Sequence, residues 1–175
     1  MSKRQDFLRI VREQVGVEEN PRGSNNVKYN TAYYNQQVSG SNYAWCAAFV
    51  WWCMREAGAA DLYYDGKKTA YVPTLLNWAK QNNLVVLQPQ PGDWILFDWN
   101  ANASPDHIGV VEEVAADTIT TIEGNSDDAV RRVTRPRDKT IQAFVRPAWP
   151  AEETPTDKDH EIAELVRKIY ELLKE

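Results

Sequence analysis

Cysteine, histidine and methionine are all scarce in this chain, with two of each in 175 residues. The two thiols, Cys46 and Cys53, sit seven positions apart in one apolar stretch that reads as a helix. Helical rise separates them by about 10 Å. A disulfide needs Cα atoms within about 7 Å, so both are read as free thiols. A basic excess is also missing. The net charge of −5 argues against a nucleic-acid or anionic-membrane binder, which would present a basic face. No apolar run is long enough to span a bilayer. The start of the chain, Met1-Ser2-Lys3-Arg4-Gln5-Asp6, leads into a segment broken by Arg9, Arg12 and Glu13 and has no signal-peptide core. The expectation is a protein made in the cytoplasm without a signal peptide. Internal repeats and low-complexity tracts are absent too. The length suits one domain with a sizeable core.

Aromatic residues are abundant, with seven tryptophans and eight tyrosines. Most of the tryptophans are expected in the core, with Trp94 or Trp99 as candidates to line a groove. Phe7, Leu8, Val11 and Val15 recur at helical spacing and predict an amphipathic first helix over residues 4–16. Residues 17–42, rich in Asn, Gly, Ser and Tyr, read as a long loop, and loops of that length in compact domains are often functional. A central helix follows, capped by Ser41 or Asn42 and stopped by Gly58. Its residues 44–54 are apolar on every face, as a helix surrounded by protein must be. A shorter helix is expected from Pro73 to about Gln81. From Leu84 onward the pattern turns to short strands: 85–87, 94–97, a hairpin of 107–114 with 118–125, and 142–146. Helices first and strands afterward, without βαβ alternation, predict an α+β fold with an antiparallel sheet. Residues 150–159 read as a linker. An apolar stripe then follows at Ile162, Leu165, Val166, Ile169, Leu172 and Leu173, predicting an amphipathic C-terminal helix over 160–175 that packs on the domain, pairs with another chain or begins a further module.

The chemistry concentrates in three places. Cys46 falls near the start of the central helix, where the partial positive charge of a helix N-terminus favours a thiolate. Its backbone N–H is one of the amides left without a helical partner, a candidate oxyanion donor. His107 opens one hairpin strand, and Glu123 and Asn125 lie on the other. Side chains alternate along strands, so His107, Gly109 and Val111 share one face, as do Thr121, Glu123 and Asn125. A turn centred on Ala116 sets His107 across from Asn125 and Gly109 across from Glu123. A two-residue register change sets His107 opposite Glu123 instead; both arrangements keep the partners within diagonal reach. Gly109 is expected to leave room for the central helix to bring Cys46 close. Blander readings exist for each residue alone. Cys53 reads as a small core residue, and His160, among the charges of the linker, as incidental. Joint occurrence lifts Cys46 and His107 above such readings.

The run Ser41-Asn42-Tyr43-Ala44-Trp45-Cys46-Ala47-Ala48-Phe49-Val50 resembles the nucleophile helix of the CHAP domain, the cysteine/histidine-dependent amidohydrolase/peptidase family. Pro91-Gly92-Asp93-Trp94-Ile95-Leu96-Phe97 is similar to that family's first core strand. Asp106-His107-Ile108-Gly109-Val110-Val111 resembles its histidine strand, and Ile122-Glu123-Gly124-Asn125 its strand of acid and amide. Upstream, residues 18–21 and 24–30 look like versions found in phage or prophage lysins of Gram-positive hosts. The resemblance spans about residues 4–148 and not the final helix, which divides the chain into a catalytic domain (1–149), a linker (150–159) and a terminal helix (160–175). It implies a papain-like α+β fold and hydrolysis of amide bonds in bacterial peptidoglycan, the expected partner. Carried over position by position, Cys46 is the nucleophile, His107 the general base and then acid, and Glu123 the residue orienting His107. Asn125 is a fourth polar member that supports the histidine or helps bind the oxyanion. Some relatives carry a calcium loop before the cysteine. Residues 35–40 here contain no carboxylate, so no metal and no cofactor are expected.

Two other functions compete with a peptidoglycan amidase or endopeptidase that acts on the wall after release or export. One is a catalytically silent wall-binding module that keeps the groove for recognition. The other is an interaction protein that self-associates through its C-terminal helix. Neither needs His, Glu and Asn on a single sheet face, so the enzyme reading leads.

Overall fold

The structure, a computed structural model, describes residues 2–151 and 157–174. Helix α1, Lys3–Glu13, opens with a capping box: Ser2 Oγ accepts from the Gln5 amide while Gln5 Oε1 accepts from the Ser2 amide. It buries Phe7, Leu8, Ile10 and Val11, the stripe its apolar spacing announces. The stretch read as one long loop holds a helix of its own, α2, Lys28–Tyr34. Its short length and polar face give no periodic signal, and packing of Tyr29 against Trp45, Phe49 and Trp52 stabilises it.

Helix α3, Cys46–Glu56, is the central helix, with eight of its residues buried. It starts three residues later than the Asn42 cap predicts. The cap position is Trp45, and the preceding chain is tied down elsewhere. Buried Glu19 accepts the Trp45 indole N–H at 2.7 Å, and Asn30 Nδ2 donates to the Tyr43 carbonyl at 2.7 Å. Helix α4, Val72–Gln81, begins with Pro73 in its first turn, where a missing N–H costs nothing.

Six antiparallel strands follow: β1 Val85–Val86, β2 Trp94–Phe97, β3 His107–Val114, β4 Thr118–Ser126, β5 Ala129–Pro136 and β6 Ile141–Val145, in the order β1-β6-β2-β3-β4-β5. Strand β5 was not expected from the sequence, because Arg131, Arg132 and Arg135 mask its alternation. Those arginines find carboxylates: Arg132 pairs with Glu112 and Arg131 with Asp127. The whole is an α+β fold with helices α1 to α4 gathered on one sheet face.

The two faces of the sheet have different neighbours. Trp94, Leu96, Ile108, Val110 and Ile122 join Phe7, Val11, Phe49, Val50 and Leu75 in the main core. Ile95, Phe97, Val111 and Ile119 point the other way and form a smaller cluster. A Cβ on Gly124 would sit 2.5 Å from Cβ of Phe49, so this glycine lets α3 lie against β4. Gly109 was expected to make that room, and it does not. A Cβ there would meet Glu123 Cγ at 2.7 Å, so Gly109 accommodates the carboxylate on the opposite face.

Helix α5, Asp157–Leu172, starts three residues ahead of the expected boundary, inside the stretch read as linker. Residues 152–156 of that stretch lie outside the described residues, as does the side chain of His160. Ile162, Leu165, Val166, Ile169, Leu172 and Leu173 of the terminal stripe are each more than half exposed. No described helix is long and apolar enough to cross a membrane.

Candidate active site

Cys46 is the first residue of α3, so its amide and those of the next residues are free of helical partners; the first helical bond runs from Phe49 N–H to the Trp45 carbonyl. The thiol points to the end of the sheet where β3 begins. There it hydrogen-bonds His107, and the backbone amides of Ile108 and Ala47 bond it as well.

His107 holds Cys46 and Glu123 together. Its Nε2 lies 3.0 Å from Glu123 Oε2, which leaves Nδ1 for the thiol. Strands β3 and β4 pair with Val110 opposite Ile122. Continued to the start of β3, that register sets Gly109 across from Glu123 and His107 across from Asn125, the arrangement of a turn centred on Ala116. A bulge at Glu112 shifts the remainder of the hairpin. The imidazole, Gly109 and Glu123 therefore share the sheet face turned away from α3, and the thiol reaches the ring around the strand end.

Glu123 is fully buried, a costly place for a carboxylate unless its oxygens are occupied. Thr121 Oγ1 donates to Oε1 at 2.6 Å. Arg135 grips both oxygens, Nε to Oε1 at 2.9 Å and Nη2 to Oε2 at 2.7 Å. Arg135 stands across from Ile119 on β5, so its long side chain reaches along the strand to do this. Its guanidinium lies 4.9 Å from the ring centre of Trp99, which stacks on Phe97 at 4.5 Å.

The electrostatics follow from these contacts. Burial alone would raise the Cys46 thiol, but the hydrogen bond and charge of His107, with the two backbone amides, outweigh it and lower the pKa below the ordinary thiol value. Burial opposes the charged imidazole in the same way, and hydrogen bonds and charges from Cys46 and Glu123 overcome it, raising His107 to about 9. Burial would also raise Glu123. Bonds from His107 and Arg135 reverse that and lower it to about 2. Both shifts favour a thiolate–imidazolium pair over the neutral one. Cys53, on the same helix, is pushed well above the ordinary thiol value by burial.

Trp99, His107, Glu123, Asn125, Ser126 and Arg135 line a pocket of about 240 Å³. Asn125 has a left-handed backbone (φ 59°), a conformation asparagine tolerates, where the β4–β5 register breaks. Its side chain makes no hydrogen bond to His107 or to any other described residue, and it faces the pocket. Trp94 is buried in the core, while Trp99 is 44% exposed on the pocket wall. Among the described residues no group of three or more His, Cys, Asp or Glu side chains is placed to hold a metal ion.

Sequence reasoning missed Arg135, Thr121, Glu19 and Asn30. Thr121 carried a signal in its shared face with Glu123, and Glu19 and Asn30 lie in the upstream runs that resemble the family, though nothing there assigned them a role. Glu19, Asn30 and Arg135 act across long sequence separations.

A family model for the CHAP domain matches residues 38–125, which contain Cys46, His107, Glu123 and Asn125. No curated protein and no solved structure matches the chain. Proteins with this domain are typically cysteine- and histidine-dependent amide hydrolases. With half of its length matched, including the start of α3 and the β3–β4 hairpin, the chain belongs to the CHAP domain family.

Proposed function

We propose that the protein hydrolyses an amide bond of bacterial peptidoglycan, with Cys46 as nucleophile, His107 as base and acid, and Glu123 orienting the imidazole. One observation carries this reading: the thiol at the head of α3 meets an imidazole whose Nε2 is held by a buried, doubly braced carboxylate. A structural cysteine has no use for that arrangement.

The steps are those the geometry permits. The Cys46 thiolate attacks the amide carbonyl carbon, and the π electrons move onto oxygen. The free backbone N–H of Cys46 donates to that oxyanion. Collapse breaks the C–N bond, and the departing amine takes its proton from His107. The thioester remains. Neutral His107 then removes a proton from water, the hydroxide adds to the thioester carbonyl, and collapse expels the Cys46 thiolate with a new carboxyl group.

The bond is either the N-acetylmuramoyl-L-alanine amide or a peptide bond of the stem or cross-bridge. The substrate lies outside the cytoplasm, so the protein works after release or export, in the manner of a phage or prophage lysin. Purified Gram-positive walls test the reading. The native chain should clear them and Cys46→Ala should not, and mass spectrometry of the fragments identifies the new termini. Equal clearing by both would end it. A silent wall-binding module predicts wall binding with no new termini.

A further inference from the structure

The Arg135 guanidinium has more donors than Glu123 uses. Nε and Nη2 are committed to the carboxylate, while Nη1 has no hydrogen-bond partner among the described residues. The side chain is 26% exposed and forms part of the pocket wall with Trp99, Asn125 and Ser126. Packing beneath Trp99 and Phe97 fixes its plane, so an incoming ligand meets a rigid fork.

The neighbouring charges leave this edge unopposed. Both Glu123 oxygens are occupied. Asp106 accepts from the Trp99 amide and Asn100, and Asp98 from the amides of Asn102 and Ala103. Beyond Ser126, Asp127 and Asp128 are paired with Arg131 and Arg22. What remains open toward the pocket is cationic and donor-rich: Nη1 of Arg135, the Ser126 hydroxyl and the Asn125 amide. A carboxylate matches a guanidinium edge in both charge and shape.

The pocket also has a direction relative to the scissile bond. Cys46 is not among its walls, whereas His107 is. A substrate whose carbonyl sits on Cys46 must extend its leaving nitrogen toward His107, which protonates it. The pocket next to His107 therefore receives the leaving fragment.

We infer that Arg135 is a substrate-binding residue that recognises a free carboxylate on the amine-side fragment of the cleaved peptide. The inference rests on the hydrolase reading above. Peptidoglycan stem peptides, which end in a free α-carboxylate, carry the required group.

Soluble peptidoglycan fragments from a Gram-positive wall, compared before and after carbodiimide-coupled amidation with ammonia, provide the test. The native chain should cleave untreated fragments with a kcat/KM about tenfold or more above amidated ones, the size expected of a charge-assisted contact. Mass spectrometry should find the carboxylate on the released amine product. Arg135→Met lowers both rates by loosening Glu123, and it should also bring the ratio to within about twofold. A residue that merely positions Glu123 would lower both rates equally and keep the ratio. If Arg135→Met does not fold by circular dichroism, Arg135→Lys retains the ion pair without the fork, and the ratio should still fall severalfold. Equal native rates on the two substrates, an unchanged ratio in the folded variant, or a carboxylate found only on the acyl product would overturn the inference and leave the hydrolase reading standing. Cleavage that survives Cys46→Ala would overturn the hydrolase reading instead.

Discussion

Cys46 and Cys53 occupy one helix two turns apart, both are buried, and their chemistry is opposite. At the head of α3, free amides and the His107 imidazole face the sulfur and lower its pKa. In the body of the helix, Cys53 has no exposed surface and its pKa is raised well above the ordinary value. Burial acts against the thiolate at both positions. The partner and the helix terminus reverse the outcome at only one. Reactivity here is a property of position on the helix, and residue type alone does not confer it.

The largest test of that contrast is alkylation. At neutral pH iodoacetamide should modify Cys46 at least about a thousandfold faster than Cys53, with peptide mapping as the measure. Comparable rates in the folded protein would abolish the distinction.

Next in size is the support behind the imidazole. Glu123→Gln keeps the shape and removes the charge that helps hold His107 at about 9. Turnover should fall about a hundredfold, the lower end of what a positioned acid–base contributes. The pH profile sharpens the point. Activity in the native chain falls on the acid side as Cys46 regains its proton, and on the alkaline side as His107 loses its own near 9. In Glu123→Gln the alkaline limb should move to lower pH. The stability linkage has two signs. The raised imidazole contributes fully below its unfolded pKa of 6.5, and that contribution is lost as pH rises through about 9. The depressed Glu123 contributes above 4.5 and loses its contribution as pH falls toward about 2.

A smaller effect concerns how closely the helix approaches the sheet. Gly124→Ala places a methyl group 2.5 Å from Phe49 Cβ, so α3 must move away from β4. The cost should be about 1–3 kcal/mol in a denaturant titration. The Cys46–His107 contact loosens with it, which turnover would register. Gly109→Ala crowds Glu123 on the other face and should spare the helix packing.

The contrast between the cysteines also marks what was legible in the chain. The body of α3 and the β3–β4 hairpin were readable because apolar residues recur there at helical and strand periods. The register at the catalytic end was open between two pairings, because alternation fixes which face a residue occupies and not its partner, and the bulge at Glu112 interrupts the pairing between the turn and His107. The start of α3 was not readable. It is decided by Glu19 on the Trp45 indole and Asn30 on the Tyr43 carbonyl, contacts that no local pattern contains. Strand β5 was hidden because its arginines serve carboxylates on β3, on β4 and in the β4–β5 turn, and with it went Arg135, the brace of Glu123. The residue types of the site were legible locally. The groups that hold them in place were not.

The smallest effect belongs to the second cysteine. Cys53→Ala deletes one sulfur from a fully buried position, leaving a small void in the main core beside residues with little freedom to close it. A cost of about 1 kcal/mol is expected in the unfolding free energy. Turnover should remain within about twofold of the native value, because Cys53 touches neither His107 nor the pocket wall. The helix is still capped at Trp45 and still presents the same free amides to the Cys46 sulfur, so the acid limb of the pH profile should not move. A displaced acid limb would mean that packing in the middle of α3 sets the reactivity of its first residue. The helix terminus and its imidazole would then be an incomplete account of how this thiol is activated.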